Sequence, residues 1–159
     1  MSASKVEDKK VQLFLEKLEE LYKFVEEFCK EQNLEYRYED IEIYEEFGGR
    51  YKTKELFVYK DGEFLFKLKP VGAYIIAADG RVDLIGKFDE KRLIFLTRQH
   101  ELVTKLEENG KILSEKRTPL YSGFRGAGWY IALERKRVTP LSKVSLCQVL
   151  EEVSEFRCS

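Results

Sequence analysis

The chain has 159 residues, 43% of them apolar and 36% charged, with a net charge of −1. That length suits one domain, residues 1–159, with enough apolar content to build a real core. No apolar run is long enough to span a membrane, and the start Met1-Ser2-Ala3-Ser4-Lys5 lacks the apolar segment of a secretory signal, so a cytoplasmic protein with no membrane partner is expected.

Lysine and glutamate are abundant, while only two Asn and four Gln occur, a composition seen in thermophile proteins. Cys29, Cys147, Cys158 and the single histidine, His100, are not spaced as metal ligands, and no cofactor is expected. Two buried thiols and a loose thiol near the end are the plain expectation. A thermophile source opens the way to an intracellular disulfide, and Cys158 on a tail is placed to bridge two chains.

A first helix is predicted from Lys5 to Gln32. Val11, Phe14, Leu15, Leu18, Leu21, Tyr22, Val25, Phe28 and Cys29 recur at intervals of three and four, and Asn33 suits a left-handed stop. A meander follows, with strands at Glu35–Phe47, Tyr51–Tyr59, Glu63–Lys69, Gly72–Ala78, Arg81–Phe88 and Arg92–Thr97. Gly48-Gly49, Asp61-Gly62 and Asp79-Gly80 are read as tight hairpin turns, which make the neighbours antiparallel. In the third strand Phe64, Phe66 and Leu68 share one face, with Lys67 and Lys69 on the other. Tyr74-Ile75-Ile76-Ala77 and Leu93-Ile94-Phe95-Leu96 are apolar on both faces, so the sheet needs cover on both sides.

Beyond Arg98, Gln99–Glu108 reads as a short helix ended by Asn109-Gly110, and Lys111–Arg117 as a strand or extended arm. Ser122–Gly128 is a glycine-rich loop, Trp129–Arg135 a last strand, and Lys143–Phe156 a final helix capped by Ser142. The fold class is α+β: one twisted antiparallel meander of six or seven strands, packed by a long N-terminal helix and a C-terminal helix.

Charge is unevenly spread. Residues 1–65 carry 11 basic and 17 acidic side chains, whereas residues 110–143 carry eight basic and two acidic ones. The basic stretch interleaves cations with Tyr121, Phe124, Trp129 and Tyr130, the pairing that holds phosphates and stacked bases. Arg117, Arg125, Trp129, Arg135, Lys136 and Arg137 are the anion-binding candidates. Internal neutralisation of the acidic first helix explains the same asymmetry without any ligand.

The string Gly80-Arg81-Val82-Asp83-Leu84-Ile85-Gly86, followed by a short turn and an apolar strand, resembles the restriction-like nuclease core over about twenty residues. That resemblance implies a divalent cation held by Asp83 and by a Glu-x-Lys on the next strand, but Leu96-Thr97-Arg98 stands there instead.

These readings point to a non-catalytic binding or adaptor protein, a homo-oligomer that contacts nucleic acid or an acidic protein through its basic C-terminal region. A homodimer would cover the strands that are apolar on both faces. One alternative is a metal-dependent phosphodiesterase built on Asp83 with Asp79 or Asp89. Another is an acidic inhibitor whose first helix mimics phosphate charge and covers a basic protein.

Overall fold

The computed structural model describes residues 8–159. Helix α1 (Lys9–Glu31) starts at Asp8, whose carboxylate accepts a hydrogen bond from the Val11 N–H at 3.0 Å. The predicted start at Lys5 lies outside the described residues. Asn33 takes the left-handed conformation (φ 57°) just past the helix end, as its residue type suggested. Among the described residues nine strands follow: β1 (Glu35–Glu45), β2 (Gly49–Lys60), β3 (Glu63–Gly72), β4 (Gly80–Gly86), β5 (Glu90–Leu96), β6 (Glu101–Glu108), β7 (Lys111–Pro119), β8 (Gly128–Ala132) and β9 (Val138–Pro140). Helix α2 (Lys143–Ser154) closes the chain behind a capping box in which Ser142 and Ser145 satisfy each other's backbone N–H.

Seven strands form one antiparallel sheet in the order β1-β2-β3-β4-β5-β8-β9, while β6 and β7 pair only with each other. The expected α+β meander with its two helices is therefore present. Both helices lie on one face. Val11, Phe14, Leu18, Leu21, Val25 and Phe28 of α1, with Leu146, Val149, Leu150 and Val153 of α2, are buried against Leu56, Val58, Phe66, Leu68, Val82, Leu84, Leu93 and Ile131 of the sheet. Fully burying one such side chain is worth about 1.5–3 kcal/mol, so this layer dominates the fold.

The opposite face is only partly covered. Ile94, Leu96 and Tyr130 are buried there beneath Ala78 and Val138, with Ile75, Tyr121 and Phe124 packed beside them. The face of β5 away from the helices is thus covered by the chain's own loops, and its other face by the helix layer.

Four predicted elements differ. Gly72–Ala78 is not a strand: β3 runs on to Gly72, and a loop follows in which Ile76 is 96% exposed and Ala77 sits at φ 62°. Pro70 does not stop β3: β2 pairing has already ended at Leu56–Leu68, Pro70 still pairs with Val82 of β4, and a bulge follows it. What ends β3 is Glu45, whose carboxylate accepts the N–H groups of Ala73 and Tyr74 at 2.9 and 2.8 Å and also holds the Tyr51 hydroxyl. Asp79-Gly80 is accordingly no hairpin turn, and Gly80 pairs with Phe95 inside the sheet.

Gln99–Glu108 is strand rather than helix. Leu102, Thr104 and Leu106 alternate at period two, and Asn109-Gly110 at φ 52° and 76° makes the tight turn to β7. Val138–Pro140 forms a short edge strand in a stretch to which the sequence assigns no element. Cys147 and Cys158 form a disulfide within the chain, so Cys158 is not a loose thiol. Burial, followed by the charge of Glu26, pushes the buried Cys29 thiol up to about 12, leaving it a packing residue and no nucleophile at neutral pH.

Every residue of the β6–β7 hairpin is exposed, while its root is tied by the Leu120 N–H to the His100 carbonyl at 2.7 Å. Replacing residues 101–119 by a short Gly-Ser link is expected to change stability by no more than about 1 kcal/mol in urea unfolding. A larger loss would show that the arm packs on the domain. No helix among the described residues is long and apolar enough to cross a membrane.

Candidate nucleic-acid interface

Strand alternation decides which side chains reach the face away from the helices. Leu68 and Leu84 face α1 and α2, so their strand neighbours Lys67, Lys69, Asp83 and Ile85 point the other way. The pairing register then lines up rows across the sheet. One row runs Arg37, Phe57, Lys67, Ile85 and Glu90. The next runs Lys69, Asp83 and Arg92, and the one beyond it Arg81, Ile94 and Tyr130.

Three of these cations are matched by carboxylates. Arg81 holds Asp83 through two hydrogen bonds of 2.8 and 3.0 Å, Lys67 stands 3.4 Å from Glu55, and Arg37 stands 3.7 Å from Glu39. Lys69, Arg92, Lys136 and Arg137 have no carboxylate within 4.0 Å among the described residues.

Lys136 and Arg137 reach this face through an unusual turn. Arg135 and Lys136 both take left-handed backbone (φ 57° and 59°) between Glu134 and Arg137, in a two-residue turn that ordinarily uses Asn-Gly. Left-handed backbone costs an L-residue about 1–2 kcal/mol. The turn is strapped from outside: the Ser122 N–H donates to the Lys136 carbonyl at 3.0 Å, and the Val138 N–H donates to the Ser122 carbonyl at 2.8 Å. Gly123 is required beside it, since a Cβ there would lie 2.1 Å from the Val138 carbonyl oxygen.

The turn closes a cleft of about 260 Å³ between the 75–78 loop and the sheet. Arg81, Arg92, Lys136 and Arg137 line it, with Ile94 on its floor and Tyr121 at its wall. The Tyr121 hydroxyl donates to the Ala77 carbonyl at 2.8 Å and fixes the loop. Lys136→Gly is expected to relieve backbone strain and raise stability by about 1 kcal/mol while weakening any anion bound in this cleft. Paired melting and binding measurements check it; a destabilised variant would refute the strain.

Of the sequence candidates, the structure brings Lys136 and Arg137 together with Arg81 and Arg92, and places Arg135 in the same turn. Arg125 stands on the neighbouring exposed loop, whose backbone is held by the Tyr130 hydroxyl. Arg117 is elsewhere, on the projecting hairpin, paired with Glu115 at 2.9 Å. Trp129 lies on the helix side of the sheet, where its indole N–H donates to the Lys17 carbonyl at 3.0 Å and its ring packs on Phe95. Arg81, Arg92 and Lys69 were missed as ligand residues, although their period-two positions on strands carried the signal.

The three aspartates do not converge. Asp83 is engaged by Arg81, Asp79 accepts the Thr97 N–H and hydroxyl at 2.8 and 3.0 Å, and Asp89 accepts the Glu90 N–H. No group of three His, Cys, Asp or Glu side chains able to hold a cation occurs among the described residues.

Burial pulls the Asp79 pKa up, but the Thr97 hydrogen bonds and the neighbouring Lys10 and His100 hold it below the ordinary aspartate range. Its contribution to stability is therefore present above about pH 3.9, the unfolded value, and lost as pH falls through the lower folded value. Asp79→Asn is expected to flatten the acid limb of a stability–pH curve below about pH 4. An unchanged limb would refute that assignment.

No protein-family model, curated protein or solved structure matches this chain.

Proposed function

We propose that this chain is a non-catalytic nucleic-acid-binding protein that takes the phosphate backbone on its helix-free sheet face. One observation carries the reading. Four cations without carboxylate partners among the described residues, Lys69, Arg92, Lys136 and Arg137, share that face, two of them on a strained and strapped turn beside a cleft. Cations that serve only internal neutralisation would be expected to find acidic partners, as Lys143 does with Glu31 at 2.6 Å. The engagement of Asp83 by Arg81 favours binding over metal-dependent hydrolysis.

Self-association and a cytoplasmic setting belong to the same reading. The hairpin exposes Leu102, Leu106, Ile112 and Leu113, apolar side chains that a second copy would cover. The Lys- and Glu-rich, amide-poor composition fits the thermophile class in which intracellular disulfides persist.

The test is fluorescence anisotropy with a labelled single-stranded oligonucleotide at low and high salt, alongside light scattering. Binding that weakens steeply with salt is expected. No binding at low salt, or affinity indifferent to salt, overturns the proposal.

A further inference from the structure

Arg37, on edge strand β1, is paired in register with Phe57 and lies in the same row as Lys67. Its guanidinium stands 5.7 Å from the Phe57 ring centre and 5.3 Å from that of Tyr59, while the Lys67 ammonium stands 5.4 Å from Phe57. Phe64 packs against both rings, at 6.5 and 6.2 Å between centres. All three rings are half-buried, whereas the Arg37 side chain is 62% exposed. The helix-free face thus carries an aromatic floor at one end and an open cleft of cations at the other.

From β2 to β5 is three strand spacings, about 14 Å, so the aromatic floor and Arg92 lie within reach of one short strand of nucleic acid. Unpaired bases stack on aromatic rings and on arginine planes, which a duplex keeps hidden. We propose that Arg37, Phe57, Tyr59 and Phe64 form a base-stacking subsite, and that the ligand is therefore single-stranded nucleic acid, its phosphates on Lys69, Arg92, Lys136 and Arg137. This rests on the nucleic-acid reading above and adds the choice of an unpaired strand. The alternation of the strands supports it: the same register that turns Lys67 and Lys69 outward turns Phe57 outward beside them. Arg37 is already laid across the rings, so a base meets a prearranged surface.

Three probes of equal length separate the two readings: oligo-dT, an abasic phosphodiester strand, and a duplex. Tight binding of oligo-dT, with the abasic strand about tenfold weaker, is expected. Phe57→Leu and, separately, Arg37→Gln should erase that tenfold preference, bringing oligo-dT affinity down to that of the abasic strand for the same variant. Arg37 is an exposed edge residue, so its variant stands in if Phe57→Leu fails to fold. Equal affinity for oligo-dT and the abasic strand, a preference unmoved by both variants, or a duplex bound as tightly as oligo-dT, overturns the stacking subsite and leaves the phosphate reading standing. Failure of all three probes to bind overturns both.

Discussion

Replacing Arg92 and Lys136 together by glutamate is expected to abolish oligonucleotide binding, while Arg117→Glu leaves it unchanged. Neutralising phosphates with four unpaired cations gives a slope of log affinity against log salt of about −2.8 for a single strand, or an affinity loss of about 50-fold between roughly 50 and 200 mM salt. The double reversal takes two positive charges away and adds two negative ones on the same face, cancelling the unpaired surplus of Lys69, Arg92, Lys136 and Arg137. Arg92 and Lys136 are exposed, and neither has a carboxylate partner to lose among the described residues, so the fold should tolerate both changes. Arg117 is as basic and as exposed, but it sits on the projecting hairpin and is already bound by Glu115. The pair of results separates a located interface from a general attraction between a charged protein and a polyanion. A loss from Arg117→Glu about half as large on a logarithmic scale, in proportion to its two-unit against four-unit charge change, would mean that net charge, not position, drives binding.

The β2–β3 hairpin was legible because Asp61-Gly62 takes positive φ at both positions and joins antiparallel neighbours. The same spelling misleads at Asp79-Gly80, where Gly80 pairs inside the sheet, and Asn109-Gly110, read as a helix stop, turns the separate β6–β7 hairpin. The loop after β3 was not legible. Tyr74-Ile75-Ile76-Ala77 reads as a buried strand, and what prevents one is the Glu45 carboxylate, 28 residues away in sequence from Ala73. No local pattern carries such a contact. The hairpin was misread for the opposite reason: Leu102, Val103 and Leu106 fit a helical stripe, but no surface is offered to bury it, and the period-two reading wins. Candidate site residues were legible only as a regional excess of charge. Lys136 and Arg137 belong to that region. Arg81 and Arg92 come from residues 81–92, and only the strand register sets them beside the turn, with Lys69 two strands away in the row of Arg92. Trp129 shows the converse limit, since its position in a basic stretch says nothing about which side of the sheet its ring takes.

Gly86, which closes the nuclease-like string, is the seat of helix α2. A Cβ at Gly86 would fall 2.4 Å from the Val153 carbonyl oxygen and 2.4 Å from the Ser154 hydroxyl. Those atoms are fixed: the Ser154 hydroxyl donates to the Leu65 carbonyl at 2.6 Å, and the Val153 carbonyl accepts the Phe88 N–H at 2.8 Å. A strand glycine at which another backbone approaches this closely leaves no room for a side chain. Gly86→Val must therefore push the end of α2 off the sheet, loosening Val149, Leu150 and Val153, which are buried at its contact with the core. Overpacking of this kind costs about 3 kcal/mol or more, which for a chain of this length lowers Tm by roughly 10 °C. Gly128→Ala is the control. It opens β8 in the same sheet with nothing within 4 Å of its added Cβ, and its melting temperature should stay close to that of the parent. If Gly86→Val melts with the parent, α2 is not seated as described. The nuclease-like string would then lose its structural explanation, and Gly86 would have to be explained by something other than the close approach of a helix.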